Sequence, residues 1–329
     1  MPIQPTPGDV HVNRPLTNIS LAFAQEASNF VASRAFPVVS VDKQSDAYFV
    51  YPLEYWTNDE MKMRGPATES VGAGYEISTT TYYAKVWAIH RDIPDQLRAN
   101  QDSPINVDRE ATEFVTAKAL IKREKLFVAT YMATGIWTYD YDGVVSSPST
   151  NQVLQWNDAN SDPIGDIQNA KTSILSLTGF EPNTLTVGYP VHSKLVNHPD
   201  IIARLNSGQT PGGPALANER RIAEILGVET YTVMKAIENT AQEGQAKSMS
   251  FIGGKKALLT YAPSRPGLMT PSAGYIFAWT GLMGATAEGY RIKRFRMEPI
   301  ASDRVEIEMA FDMKLVSADL GAFFDTIIA

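Results

Sequence analysis

The sequence predicts an α+β fold. Three observations carry this expectation. Residues 305–315 alternate, with Val305, Ile307, Met309, Phe311, Met313 and Leu315 on one face and Glu306, Glu308, Ala310, Asp312 and Lys314 on the other. A period of two is the mark of a half-buried strand. Residues 103–134 form a long helical stretch with no Pro or Gly after Pro104. Between 163 and 261, helix-period and strand-like segments follow one another.

The totals bound the answer. The chain has 329 residues, 44% hydrophobic and 20% charged, enough for one large or two moderate domains with substantial cores. No apolar run reaches the roughly 18 residues of a membrane span. The first seven residues, MPIQPTP, have neither the basic start nor the apolar core of a secretory signal. With no cysteine, disulfides, thiolate metal sites and a cysteine nucleophile are excluded. The formal net charge of −7 argues against tight sequence-specific DNA binding, which needs a basic footprint.

Taken in order, residues 1 to about 15 are Pro-rich and read as an extended arm. A short helix is expected over 16–30, capped by Thr17 or Asn18, and extended chain over 36–41. Residues 47–53 and 77–89 have the aromatic and β-branched composition of strands. The 18 or so polar residues between them, Thr57 to Gly74, make a connection far longer than an ordinary hairpin loop. Both strands are mixed on both faces, so a ribbon over 46–90 is expected to project and to lie on something else.

The long helix follows. Ser103 with Pro104 is one candidate start, Asn106 a second, and Gly135 a stop. Its apolar stripe is read as Val107, Ala111, Phe114, Ala117, Ile121, Val128 and Tyr131. The run Lys122–Lys125 surrounds the helix with charge, so that half is expected at a surface. Residues 137–156 read as loop with short strands. Helices are expected at 164–177, 190–197, 199–205 and 218–226, and strands at 184–188, 229–236 and twice within 247–261. A flexible loop is expected at 207–214. Residues 290–297 are the expected antiparallel partner of 305–315.

No enzyme motif survives. His90-Arg91-Asp92 lacks the kinase Asn, since Leu97 stands there. Gly72-Ala73-Gly74 meets Ile77 where a dinucleotide loop needs Gly, and Gly254-Lys255-Lys256 lacks a Walker Ser or Thr. His192 and His198, six apart, read as solvated residues around a helix end and not as a zinc pair. Asp92 and Asp95 read as shaping the turn before the long helix. No catalytic residue, metal site or cofactor is expected. The basic clusters are Lys118, Lys122, Arg123 and Lys125 on the helix, and Arg291, Lys293, Arg294 and Arg296 on one strand. Both groups read as a solvated face paired with Glu124, Glu288 and Glu298, or as a subunit or weak phosphate contact.

The order of arm, projecting hairpin, long helix, α+β unit and returning strands resembles tailed-phage major capsid proteins of the HK97-like fold. So do Arg34-Ala35-Phe36-Pro37-Val38-Val39, Arg64-Gly65-Pro66-Ala67-Thr68-Glu69-Ser70, Asp92-Ile93-Pro94-Asp95-Gln96 and Ala111-Thr112-Glu113-Phe114-Val115. The resemblance covers nearly the whole chain. It implies an N-terminal arm at 1–45 and an E-loop at 46–90 laid over a neighbouring subunit. It implies a peripheral domain at 91–160 with its spine helix at 103–134, an axial domain at 161–287, and returning peripheral strands at 288–329. The implied function is a virion shell of hexamers and pentamers around double-stranded DNA, assembled in the host cytoplasm. The implied partners are other copies, a separate scaffolding protein, a portal and a decoration protein. Lys62, Arg64, Gly65, Pro66 and Glu69 at the E-loop tip would meet a neighbour. Lys118 and Lys122 would face packaged DNA in weak, non-specific contact. The covalent Lys–Asn cross-link of some members is not carried over to Lys62. The competing reading is a soluble enzyme or ligand-binding protein built on 161–287.

Overall fold

The computed structural model describes residues 25–101, 105–207, 218–267, 269–283 and 288–329. In chain order its strands are β1 (Val38–Val41), β2 (Ser45–Val50), β3 (Ser78–Tyr83), β4 (Lys85–Pro94), β5 (Tyr139–Val144), β6 (Gln152–Leu154), β7 (Thr184–Gly188) and β8 (Thr230–Met234). There follow β9 (Ile237–Asn239), β10 (Met249–Phe251), β11 (Ala257–Thr260), β12 (Gly274–Trp279), β13 (Tyr290–Met297), β14 (Ser302–Leu315) and β15 (Gly321–Asp325). The expected N-terminal helix start at Thr17 or Asn18, the Ser103-Pro104 cap and nearly all of the 207–214 loop lie outside the described residues.

The alternating segment is the centre of a five-stranded sheet. β14 pairs antiparallel with β4 from Ser302 to Phe311 and, on its other side, with β13 from Ser302 to Met309. Past β13 that second side continues with β12, from Phe311 to Leu315, and β1 lies parallel beyond β12. Val305, Ile307, Met309, Phe311 and Met313 are buried, as alternation requires, and the long helix covers them.

That helix spans Val107–Tyr131, about 37 Å at 1.5 Å per residue. Asn106 caps it by accepting the Arg109 N–H at 3.1 Å. At the other end, Trp137 Nε1 donates to Tyr131 O at 2.6 Å and Lys256 Nζ to Met132 O at 2.8 Å. These bonds close the helix at Tyr131, four residues before Gly135, whose φ is +81°. The buried row is Val107, Ala111, Val115, Ala119, Arg123, Phe127 and Tyr131, each four residues from the last. A step of four overshoots the 3.6-residue turn by about 40°, so the row winds round the helix as it follows a twisted sheet. This corrects the expected stripe. Phe114 is exposed and Ala117, Ile121 and Val128 only partly buried. It also corrects the surface placement of the charged run, because Arg123 and Glu124 are both buried.

A second sheet runs β6-β5-β15-β11-β7-β8. Its inner strands β7 and β11 are buried at every position, as a sheet covered on both faces demands. Leu185, Leu259 and Phe324 face a layer of four helices, Pro163–Thr178, Tyr189–Val196, Pro199–Ser207 and Glu219–Leu226. Leu258 and Phe323 face the other way, into the core of the long helix. Gly179 and Gly227 end two of these helices in the left-handed region, at φ +76° and +66°.

The expected domain boundaries shift accordingly. β5, β6 and β15 belong to the six-stranded sheet, although 91–160 and 288–329 were assigned to the other unit. β12 belongs to the five-stranded sheet, not to the 161–287 unit. The expected single strand 77–89 breaks at Ala84. β2 and β3 form the two-stranded ribbon, while β4 joins the main sheet, so the ribbon ends at Tyr83 and not at residue 90. Its base is anchored, with Tyr82 stacked on Phe277 at 4.6 Å between ring centroids.

The end of the arm is held by one carboxylate. Glu124 accepts the Val31 N–H at 2.9 Å and the Ala32 N–H at 2.8 Å. Phe36 then packs on Tyr131 with centroids 4.5 Å apart. Burial pushes the Glu124 carboxyl up, against the two backbone donors, which lower it. The folded chain therefore binds this proton more tightly than the unfolded chain, and stability falls as pH rises through the window that opens at the ordinary glutamate value of 4.5. Glu124→Gln keeps an acceptor and cannot titrate, so urea denaturation across this window should show a shallower fall with pH. Glu124→Ala leaves two buried N–H groups unpaired and should cost about 1–3 kcal/mol at neutral pH.

Candidate functional site

The exposed tip of the ribbon is the feature least explained by the chain's own packing. Between β2 and β3 the only regular element is a one-turn helix, Glu54–Thr57. Tyr51, Trp56 and Tyr75 cluster at its base, with centroids 5.3 Å apart for Trp56 and Tyr75. Beyond them Met61 is 94% exposed and Met63 wholly so, and Val71 and Ile77 are also exposed. Arg64, Gly65 and Pro66 build a turn. Arg64 Nε donates to Thr68 O, the Thr68 hydroxyl to Gly65 O at 2.8 Å, and Ala67 has a φ of +59°. Lys62 and Glu69 are exposed beside it.

The basic residues of β13 are paired. Arg291 Nε and Lys293 Nζ each reach Glu308 at 2.7 Å. Burial pushes the Glu308 carboxyl up, but the bonds from Lys293 and Arg291 outweigh it and hold it below the usual value. On the opposite face Arg294 bonds Asp108 at 3.0 Å, and Arg296 grips Asp95 through both oxygens at 2.5 and 2.6 Å. Asp303 collects Arg98, Arg294 and Arg296, and Arg98 also holds Asp108 at 2.8 Å. Asp92 takes a two-pronged bond from Arg304, at 2.7 and 2.9 Å. Asp92 and Asp95 thus bond arginines of β14 and β13, and the acids beside the β13 cations are chiefly Glu308, Asp108, Asp303 and Asp95.

Lys118 and Lys122 stand on the helix flank over β4. Lys122 Nζ lies 4.3 Å from the Trp87 ring centroid. Lys118 Nζ and Arg91 each lie 5.6 Å from the centroid of Phe114, which is 45% exposed. Among the described residues none of these three cations has a carboxylate partner. Lys125 differs, reaching Glu238 at 2.5 Å. Arg123 bonds Glu288 at 3.1 Å.

His198 is not solvated. It is buried, takes the Asp200 N–H on Nδ1 at 3.3 Å, and sits 3.1 Å from Ser161 Oγ through Nε2. His192 Nδ1 meets the Tyr231 hydroxyl at 3.0 Å. Both hold helices in place. The described residues contain no group of three His, Asp or Glu side chains fit for a metal ion, and no helix among them is long and apolar enough to cross a membrane. Sequence reasoning missed the roles of Glu124, Asp303 and the Trp87–Arg91–Phe114 flank. A strict step of four from Val107 reaches Arg123 and would have flagged the buried charge beside it.

Bonds from Arg304 to Asp92, from Arg296 to Asp95 and from Arg98 to Asp303 hold all three carboxyls below the ordinary aspartate value. The stabilisation is present above the ordinary value of 3.8 and is lost as pH falls below it. Acid denaturation of Asp303→Asn should therefore show a weaker dependence on pH below 3.8 than wild type, read by tryptophan fluorescence.

No family model matches the chain. It is 22% identical over 273 residues to the major capsid protein of Burkholderia phage BcepMu, covering 79% of this chain and 81% of that one. Among solved structures, a phage-related protein of Bordetella bronchiseptica RB50 superposes with a TM-score of 0.67 at 18% identity, over 92% of this chain and 93% of that one. The capsid of cyanophage P-SCSP1u superposes with a TM-score of 0.61 at 9% identity, over 98% of both. These matches run over nearly the full length of the chain, which has the HK97-like fold of phage capsid proteins.

Proposed function

We propose that this chain is the structural shell protein of a tailed phage, building an icosahedral capsid of hexamers and pentamers around double-stranded DNA. The observation that carries the reading is the ribbon tip. Two methionines stand almost entirely in water at the end of a two-stranded extension, an arrangement a monomer gains nothing from. A neighbouring copy covering the tip supplies the missing burial. The capsid fold and the capsid relative support the same conclusion. In this reading Lys62, Arg64, Gly65, Pro66 and Glu69 belong to the subunit interface. Arg64, Gly65 and Pro66 shape the turn, while Lys62 and Glu69 are left to meet the neighbour. The protein acts in the virion capsid after assembly in the host cytoplasm, with a scaffolding protein, portal and decoration protein as partners. The proteins it resembles are shell components and not enzymes, which disfavours the ligand-binding or catalytic reading of the six-stranded unit.

Deleting Thr57 to Gly74 should leave a soluble chain with native far-UV circular dichroism that forms no closed shells in electron micrographs. Closed shells from the deletion variant would contradict the proposal.

A further inference from the structure

We propose that Tyr51, Trp56 and Tyr75, where the ribbon strands open towards the tip, form a binding site for an organic ammonium ion, with Glu54 and Glu76 beside the rings. The site belongs to the single chain and does not rest on the shell reading.

Register brings the three rings together. Val50 pairs with Ser78 at the end of the ribbon. Tyr51 directly follows β2, and Tyr75 lies three residues ahead of β3. The one-turn helix Glu54–Thr57 is closed by the Trp56 N–H, which donates to Leu53 O at 3.0 Å, and this turn carries Trp56 back to both tyrosines. Ring centroids are 6.5 Å apart for Tyr51 and Trp56, 6.3 Å for Tyr51 and Tyr75, and 5.3 Å for Trp56 and Tyr75. Interplanar angles of 76°, 48° and 40° mean that no two of these rings stack flat. The centre of a triangle with these sides is about 3.5 Å from each corner, so a cation about 3.5 Å out of its plane is roughly 5 Å from all three centroids, inside the ~6 Å reach of a cation–π contact. Trp56 is 51% and Tyr75 55% exposed, so a ligand can reach them.

Two further observations point to a cation and not to a neutral apolar ligand. First, other rings carry the chain's own cations: Lys122 over Trp87, Arg91 and Lys118 over Phe114, Arg123 over Phe311. Among the described residues no cation stands over Tyr51, Trp56 or Tyr75. Arg64, near in sequence, is turned to Thr68 O. Second, the surroundings are acidic. Glu76 accepts the Tyr55 hydroxyl, and the charge of Glu54 also acts on that hydroxyl. Across residues 54–76 the acids Glu54, Asp59, Glu60, Glu69 and Glu76 outnumber Lys62 and Arg64. Among the described residues none of the five acids forms a salt bridge. Ring faces attract a cation through their quadrupoles, and unpaired carboxylates add a longer-range pull. A metal ion would have to shed bound water to meet a ring, whereas an alkylated ammonium brings apolar surface of its own to cover ring carbon.

Calorimetric titration of the purified chain at fixed ionic strength tests the site. The probes are choline, spermidine and the uncharged carbon isostere of choline. At least one of the two ions should bind saturably; tighter choline assigns a quaternary ligand, and tighter spermidine a polyamine. The isostere should bind about fivefold or more weakly than the better ion, and Trp56→Leu should weaken that ion about fivefold. Trp56→Phe keeps a ring and should retain most of the binding, which separates loss of the ring face from collapse of the ribbon. Glu54→Gln with Glu76→Gln should weaken binding about threefold and flatten its dependence on salt. Circular dichroism checks the fold of each variant. No saturable binding of either ion, an isostere as tight as the better ion, or unchanged binding in Trp56→Leu would overturn the proposal. None of these measurements needs assembled shells, so the shell reading stands or falls separately.

Discussion

The packing of one winding row of the long helix against one face of β14 sets the rest of the structure. A row that advances by four residues cannot stay on one side of a straight helix, and a twisted sheet is the partner that lets it remain buried from Val107 to Tyr131. At its end the Tyr131 hydroxyl bonds the carbonyls of Tyr275 and Lys314 in the five-stranded sheet, and the same core takes in Phe323 and Leu258 of the second sheet. One helix therefore joins both sheets without a linker. Ala111 and Ala119 are the small members of the row, and the rings of Phe127 and Tyr131 at its end pack against Phe36.

That geometry also explains a carboxylate in the core. Where the row passes Arg123, the adjacent Glu124 turns towards the arm, and the unpaired N–H groups of Val31 and Ala32 meet it. A buried charge is costly unless bonded, and here the bonds do a second task by fixing where the arm enters the fold. The remaining charges sort by partner. On β13, β14 and the helix start nearly every cation has an acid, which fits a load-bearing region that must keep its own register. On the β4 flank the cations rest on rings, and on the ribbon tip acids and methionines stand in water. Satisfied surfaces hold the chain together, and under the proposed shell reading the unsatisfied ones are what it offers to other copies.

Much of this was legible in the chain. The alternation of β14, its partner β13, the helix cap at Asn106, and the short β7 all follow from local patterns, which survive because tertiary packing agrees with them. The charged run at 122–125 misled because local composition cannot show that an arm 90 residues away supplies donors. β12 and β15 were missed for another reason. Gly274–Trp279 and Gly321–Asp325 are short apolar runs whose strand character comes from neighbours distant in sequence. The break at Ala84 was equally silent, since the segments on each side have the same composition yet enter different sheets. The exposed tip was legible as a long polar loop, but the use of its Arg64–Thr68 segment as a closed turn was not.

The central claim is that the chain's exposed surfaces are completed by other copies of itself. Size-exclusion chromatography with light scattering on the purified, concentrated wild-type protein tests this most directly. The account predicts capsomers or particles of megadalton mass. A chain that stays monomeric at every concentration, with its ribbon tip still in water, would contradict it.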